Sequence, residues 1–100
     1  MITREITLLT PEDLEKLQHY AELRYSLTEI ATMLMVDVGQ LRLAILNPRC
    51  DIAQAYTAGK LISSVKRRET ILEAANKGAE WAIKLLDKYE IDQKEDELMP

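Results

Sequence analysis

The sequence predicts an all-α fold with a head of three short helices at the N-terminus, then a long helix and a C-terminal helical hairpin. Hydrophobic residues make up 47% of the chain but aromatic residues only 5%, so the core is expected to be aliphatic. Three Gly and three Pro supply few of the tight turns that a β-sandwich or barrel needs. Apolar residues instead recur at spacings of three and four between helix-capping signals, which favours helices.

Each of the three head helices begins at a capping signal. Thr10 is followed by Pro and two acidic residues, which suit the first turn of a helix. Ser26 and Glu29 have the spacing of a capping box for the second helix. Asp37 stands where it can cap the third helix.

The rest of the chain predicts a longer helix and a return helix. Asn47 and Pro48 suit the cap and first position of the fourth helix, and Gly78 suits its left-handed C-terminal cap. The last nine residues are too charged to fold alone. The sequence therefore predicts an extended arm (1–9), a head (10–47), a helical hairpin (48–91) and an acidic disordered tail (92–100).

Composition excludes several classes of function. The net charge of -4 argues against a globally cationic nucleic-acid binder, although it does not exclude local basic patches. The single His19 and single Cys50 cannot complete a zinc site, and no Gly-rich phosphate loop occurs, so we expect no enzyme, metal or cofactor. No apolar run approaches the roughly 18 residues of a membrane span and no signal-peptide core is present, so we expect a cytoplasmic protein without membrane contact.

Residues 26–45 carry the strongest motif. Two short capped helices separated by a three-residue turn are typical of a helix-turn-helix, in which Ala31 permits a close crossing and Leu41 anchors the second helix. An ordinary three-helix core without a ligand is the alternative, and Met35 stands at a turn position where Gly is usual. The motif leaves these positions of the second helix exposed: Val38, Gly39, Gln40, Arg42 and Leu43.

The order of short motifs along residues 11–89 resembles the terminase small subunit and related helix-turn-helix proteins of phages. The shared pattern is Ile-Ala, a turn and a capped second helix, then Pro, Ala-Tyr, Gly-Lys and a Gly-capped hairpin. In this chain the matching positions are Ile30-Ala31, Leu34-Met35, Val36-Asp37, Leu41, Pro48, Ala55-Tyr56, Gly59-Lys60 and Gly78.

This resemblance implies a non-enzymatic DNA-recognition component of phage genome packaging. Such a protein is expected to bind double-stranded viral DNA through the head and to form a ring through its later helices. It is then expected to pass the DNA to a large ATPase subunit of the terminase. The implied setting is the cytoplasm of a bacterial host, with the gene carried by a phage or prophage.

Two groups of residues are candidates for these contacts. Gln40 and Arg42 can bind base edges, and cations elsewhere in the chain can bind phosphates. The later helices carry more apolar surface than packing within one hairpin would bury, which favours contact with another chain. The candidate DNA-binding residues are Gln40, Arg42, Val38, Gly39, Leu43, Lys16, Arg24, Arg49, Lys60 and Arg67. The candidate oligomer interface comprises Ile62, Val65, Leu72, Trp81, Leu85 and Tyr89.

Two other functions remain open from the sequence. A transcriptional regulator would use the same DNA-binding head. A helical protein-interaction module would use the apolar helices without DNA, which the aliphatic Val38 and Leu43 on the exposed face favour. The surface charge around Arg42 discriminates between DNA and protein as partner.

Overall fold

The computed structural model describes residues 3–100, and this part of the chain confirms the all-α class. A 3-10 turn precedes five α-helices, and an isolated bridge pairs Arg4 with Val36. The elements are the 3-10 turn Ile6–Leu8, α1 (Pro11–Glu22), α2 (Leu27–Leu34), α3 (Val38–Ile45), α4 (Asp51–Asn76) and α5 (Glu80–Glu97).

The chain divides into two compact units, with the boundary between Ser64 and Val65. This differs from the predicted boundary after residue 47. The physical reason is that the first part of α4 packs into the head: Ile52 lies in its core, and Gly59 is buried against the α1 backbone at Gln18.

The core of the first unit is aliphatic, as the composition predicts. Leu17 of α1, Ile30 of α2 and Leu41 of α3 are fully buried, and the three helices meet around them. Half-buried side chains, including Tyr20 and Tyr56, pack around this centre. The core cluster comprises Leu17, Ile30, Ala31, Leu34, Val36, Leu41 and Ile52.

The three predicted helix caps are confirmed. Thr10 and Ser26 each accept a hydrogen bond from the backbone three residues on, and each belongs to a reciprocal capping box. The Asp37 carboxylate accepts from the backbone N–H of Gln40 at 3.0 Å. Local sequence therefore sets where α1, α2 and α3 begin.

The fourth helix begins later than the sequence predicts. Helix α4 starts at Asp51 because Asn47 and Pro48 belong to a turn: the Asn47 side-chain oxygen accepts from the backbone N–H of Arg49 at 3.1 Å. An Asn side chain that bonds the backbone two residues on favours a turn over helix initiation.

The two chain ends also differ from expectation. Within the predicted arm, residues 3–9 contain the 3-10 turn, while residues 1 and 2 lie outside the described part. The predicted disordered tail is helical through Glu97. The ion pair between Lys94 and Glu90 at 3.3 Å supports that extension, because Glu before Lys at a spacing of four residues stabilises a helix.

The second unit consists of the last part of α4 and the whole of α5. Gly78 at φ +90° ends α4, confirming the predicted cap: its N–H bonds the Ala75 carbonyl and the Ala79 N–H bonds the Ala74 carbonyl. Ile71 and Ala82 are buried in this unit. The guanidinium of Arg68 lies 4.0 Å from the centre of the Tyr89 ring.

Candidate nucleic-acid interface

Helices α2 and α3 are joined by a tight turn whose first residue is left-handed. Met35 adopts φ 57° and ψ 44°, so the turn is left-handed although a Met stands where Gly is usual. Its N–H bonds the Thr32 carbonyl, and the N–H of Val36 bonds the Ala31 carbonyl at 2.9 Å. Val36, the residue directly after Met35, is buried in the core of the first unit, so the turn is anchored to that core before α3 begins.

Arg4 holds this turn from outside the two helices. Its backbone N–H bonds the Met35 carbonyl at 2.6 Å. Its side-chain Nε and Nη2 donate to the Leu34 carbonyl at 3.1 and 2.8 Å. The N-terminal segment thereby satisfies two carbonyls at the end of α2, which have no partner within the helix.

The same guanidinium also binds Asp13 at the start of α1. The Asp13 carboxylate accepts from the Thr10 backbone N–H at 2.9 Å and from the Thr10 hydroxyl at 3.0 Å. The side-chain hydrogen bond from Arg4, followed by the backbone hydrogen bond from Thr10, lowers the pKa of Asp13 to about 2. The carboxylate is therefore ionised at neutral pH and fixes Arg4 in place.

The structural role of Arg4 is not visible in the sequence. Its partners Asp13, Leu34 and Met35 are brought to it by the tertiary fold. An arginine in a short N-terminal segment has no spacing signal of its own. The Thr10 and Asp13 capping box was the one local sign that an ionised carboxylate lies here.

Helix α3 presents an exposed face on the side opposite its buried anchor. Leu41 is fully buried, whereas Gly39, Gln40, Arg42 and Leu43 are exposed. We call these four residues the α3 face. The structure therefore leaves Gln40 and Arg42 uncovered, as a recognition helix requires.

Val38 does not belong to the α3 face, although the motif placed it there. It is half-buried and packs against the core cluster. The first residue of α3 lies next to the turn, and burial of Val36 brings it close to the centre of the head. The number of α3 positions available to a ligand is reduced accordingly.

Arg42 bridges the two helices of the motif. Its Nη2 donates to the hydroxyl of Thr28, near the start of α2, at 3.3 Å. A long, exposed hydrogen bond to a neutral oxygen contributes little to stability. The guanidinium can therefore exchange it for a bond to a charged acceptor at a small cost in free energy.

The other candidate DNA-binding residues are spread over several elements. Lys16 on α1 and Arg49 in the α3–α4 connection are exposed. Lys60 on α4 is exposed and its ammonium lies 5.3 Å from the Tyr56 ring centre. Arg24 differs, since its Nε donates to the Ser63 hydroxyl at 2.9 Å and ties the end of α1 to α4. Arg67 is exposed in the second unit.

The candidate oligomer residues also fall into two groups. Val65, Leu72 and Trp81 are exposed in the second unit, and Leu85 and Tyr89 are half-buried there. Ile62 belongs to the first unit, where it is half-buried. The second unit thus keeps large apolar side chains in water after its own two helices have packed.

Within residues 3–100, no group of three or more His, Cys, Asp or Glu side chains is arranged to hold a metal ion. The described helices also include none with the length and apolar character needed to cross a membrane.

Comparison with known proteins gave no match: no family model, no curated protein and no solved structure matches the chain.

Proposed function

We propose that the protein binds double-stranded DNA through the α3 face and serves as a non-enzymatic DNA-recognition component of phage genome packaging. The observation that carries this proposal is the exposure of Gln40 and Arg42 on a short helix whose other side is anchored by the buried Leu41. The packaging role follows from the resemblance to terminase small subunits.

The chemistry of the α3 face suits base edges in the major groove. An arginine can bind guanine O6 and N7 through two hydrogen bonds, and a glutamine can bind adenine N6 and N7. Gly39 at the start of α3 has no side chain, so the helix can approach DNA closely at that point. A base contact by Arg42 would replace its hydrogen bond to the Thr28 hydroxyl.

Lys16, Arg49 and Lys60 are the proposed phosphate ligands. All three are exposed, and cations of this kind release counterions when they bind the DNA backbone. Arg24 is a weaker candidate, because its guanidinium already bonds Ser63. The proposed contact set therefore predicts moderate affinity with clear salt dependence.

The second unit is proposed to build the oligomer. Val65, Leu72 and Trp81 expose apolar surface that a second copy would remove from water, at about 25 cal/mol per Å². The oligomer would present several heads to DNA and pass it to the large ATPase subunit, in the cytoplasm of the bacterial host. Light scattering on the purified chain tests this part, and a monomer at all concentrations would reject it.

DNA binding is tested by fluorescence anisotropy with a labelled duplex. We expect the logarithm of the affinity to fall linearly with the logarithm of salt concentration, and Arg42→Ala to weaken binding by about tenfold. Lys77→Ala is the matched control, since Lys77 is exposed in the second unit and pairs with Glu73. Absence of binding at low salt would reject the DNA-binding proposal.

A protein-interaction module without DNA binding is the second candidate. Two observations favour it: the head from residue 10 to 47 carries three basic and six acidic side chains, and Leu43 on the α3 face is 70% exposed. The excess of acidic side chains repels the negatively charged DNA backbone, whereas an exposed leucine suits an apolar protein partner. If this second function is correct, neither the wild type nor Arg42→Ala changes the anisotropy of the labelled duplex, because the chain does not bind DNA.

A further inference from the structure

An apolar groove lies between the end of α3 and the first half of α4. It has a volume of about 580 Å³ and runs along one side of α4, where small side chains recur at helical spacing. Leu46 and Leu61 stand beside it and are 77% and 59% exposed. The lining residues are Ile45, Leu46, Pro48, Ala53, Gln54, Thr57, Ala58 and Leu61.

The shape of this groove suits an apolar side chain of another helix. Ala53, Thr57 and Ala58 contribute small side chains to its lining, and Leu46 and Leu61 contribute exposed apolar ones. Such a surface is typical of sites that take the apolar face of an amphipathic helix. None of the residues that line the groove carries a charge.

The chain around the groove is basic. From residue 41 to 61 it contains Arg42, Arg49 and Lys60 against a single acid, Asp51. The three cations are exposed. An occupant with apolar anchors and acidic flanks would therefore be attracted to this surface and held by it.

The end of this same chain has that composition. Between Glu90 and Glu97 there are five acidic residues and one lysine. Ile91 and Leu98 are seven residues apart, which places positions on the same side of a helix, and Met99 follows directly. These three apolar residues are exposed, Leu98 to 85%.

We propose that the groove binds residues 91–99 of a second copy of the chain. Each copy then offers one groove and one acidic apolar segment, and both are exposed in the structure. The contact is head-to-tail, and a repeated contact of this type closes into a ring when its rotation allows. This inference rests on the oligomer part of the proposed function and adds the partner segment; it does not depend on DNA binding.

Site-specific photo-crosslinking identifies the occupant. The full chain carries p-benzoylphenylalanine in place of Gln54, which lines the groove but is not one of its apolar anchors, and equal amounts of ¹⁴N- and ¹⁵N-labelled protein are mixed before irradiation. We expect crosslinked peptides from residues 91–99 that combine the two isotopes, because the partner is another copy. Crosslinks that are confined to one isotope, that fall elsewhere in the chain, or that do not form would each overturn the inference.

Three neutral substitutions test the energetics in the full chain. Leu61→Gln and Leu98→Gln are each expected to raise the dissociation constant of self-association about tenfold, as loss of an apolar anchor does. Leu8→Gln is the matched control, because Leu8 is exposed outside the groove. Equal association by all three variants would overturn the inference. Circular dichroism verifies that each variant keeps its helix content.

Charge and DNA measurements separate this inference from the proposed function. Arg49→Glu is expected to weaken self-association, and added salt is expected to do the same. Arg42→Ala tests DNA binding by itself. Crosslinks to residues 91–99 without DNA binding would support the inference and reject the DNA-binding role. Self-association that depends on Trp81 but not on Leu61 would reject the inference and leave the proposed oligomer through the second unit standing.

Discussion

The guanidinium of Arg4 holds the carboxylate of Asp13 through two contacts, Nη1 to Oδ2 at 3.1 Å and Nη2 to Oδ1 at 3.2 Å. The same Nη2 also donates to the carbonyl of Leu34. One side chain therefore connects the start of α1 with the end of α2. The left-handed turn that orients α3 lies directly after that carbonyl, so the α3 face depends on a residue far from it in sequence.

Loss of the Arg4 side chain is expected to lower stability. Arg4→Ala leaves the Leu34 carbonyl and the Asp13 carboxylate without their strongest donor, whereas Arg4→Lys keeps the charge but cannot form two parallel contacts. Thermal melts should rank wild type above Arg4→Lys and Arg4→Lys above Arg4→Ala. Lys16→Ala, which removes an exposed cation on α1, should melt like wild type.

Asp13 is expected to make folding sensitive to acid. Its pKa is lowered from 3.8 to about 2 in the folded chain, so the unfolded chain binds more protons between these values. The stabilisation is fully present above about pH 4 and is lost as the pH falls towards 2. Denaturant unfolding between pH 5 and pH 2 should show this loss. Asp13→Asn should be less stable than wild type at pH 5, and its free energy of unfolding should fall less steeply between pH 5 and pH 2. If that fall were as steep as in wild type, the acid sensitivity would not come from Asp13.

Met35 is expected to be a site where glycine stabilises the fold. Its left-handed conformation is unfavourable for a side chain, so Met35→Gly should raise the free energy of unfolding by about 0.5 to 1 kcal/mol. Met33→Gly is the control: the same replacement inside α2 should lower it by about 1 kcal/mol. Denaturant unfolding measures both changes. A loss of stability in Met35→Gly would indicate that the exposed methionine makes contacts of its own.

Gly59 is expected to tolerate no larger side chain. An added Cβ would lie 2.8 Å from the Ala21 Cβ and would overlap the backbone oxygen of Gln18, so α1 and α4 would have to separate. Gly59→Ala should lower the free energy of unfolding by about 2 to 3 kcal/mol.

Gly78→Ala provides a contrast to that change. Apart from Gly78 and its two neighbours in the chain, no residue has an atom within 4 Å of a Cβ at this position, so only the positive φ opposes the substitution. This variant should lose about 1 kcal/mol. Denaturant unfolding of the two variants compares packing with backbone conformation, and a smaller loss at Gly59 than at Gly78 would contradict the close approach of α1 and α4.

The parts of the fold that sequence predicted correctly are those set by nearby residues. Thr10, Ser26 and Asp37 cap their helices through bonds to the backbone three residues on, and Gly78 ends α4 through its own conformation. Such features involve residues within one turn of a helix, so they depend on local sequence and not on tertiary contacts.

Some local predictions were nevertheless wrong because two local structures competed. Asn47 and Pro48 suit the start of a helix, but the Asn47 side chain forms a turn with Arg49 and α4 begins at Asp51. Charge predicted disorder after residue 91, while the helix-forming residues there, with the Glu90 and Lys94 pair, carry α5 to Glu97.

The sequence by itself determined the all-α class, the aliphatic core and the starts of the first three helices, because these depend on composition, helical periodicity and caps. The tertiary structure decided which surfaces stay open. The packing of Val38 against the core cluster, the contact of Arg4 with Leu34 and the groove beside Leu61 each depend on residues distant in sequence. Packing between helices depends on many weak contacts between residues that are distant in sequence, so a local sequence pattern does not predict it.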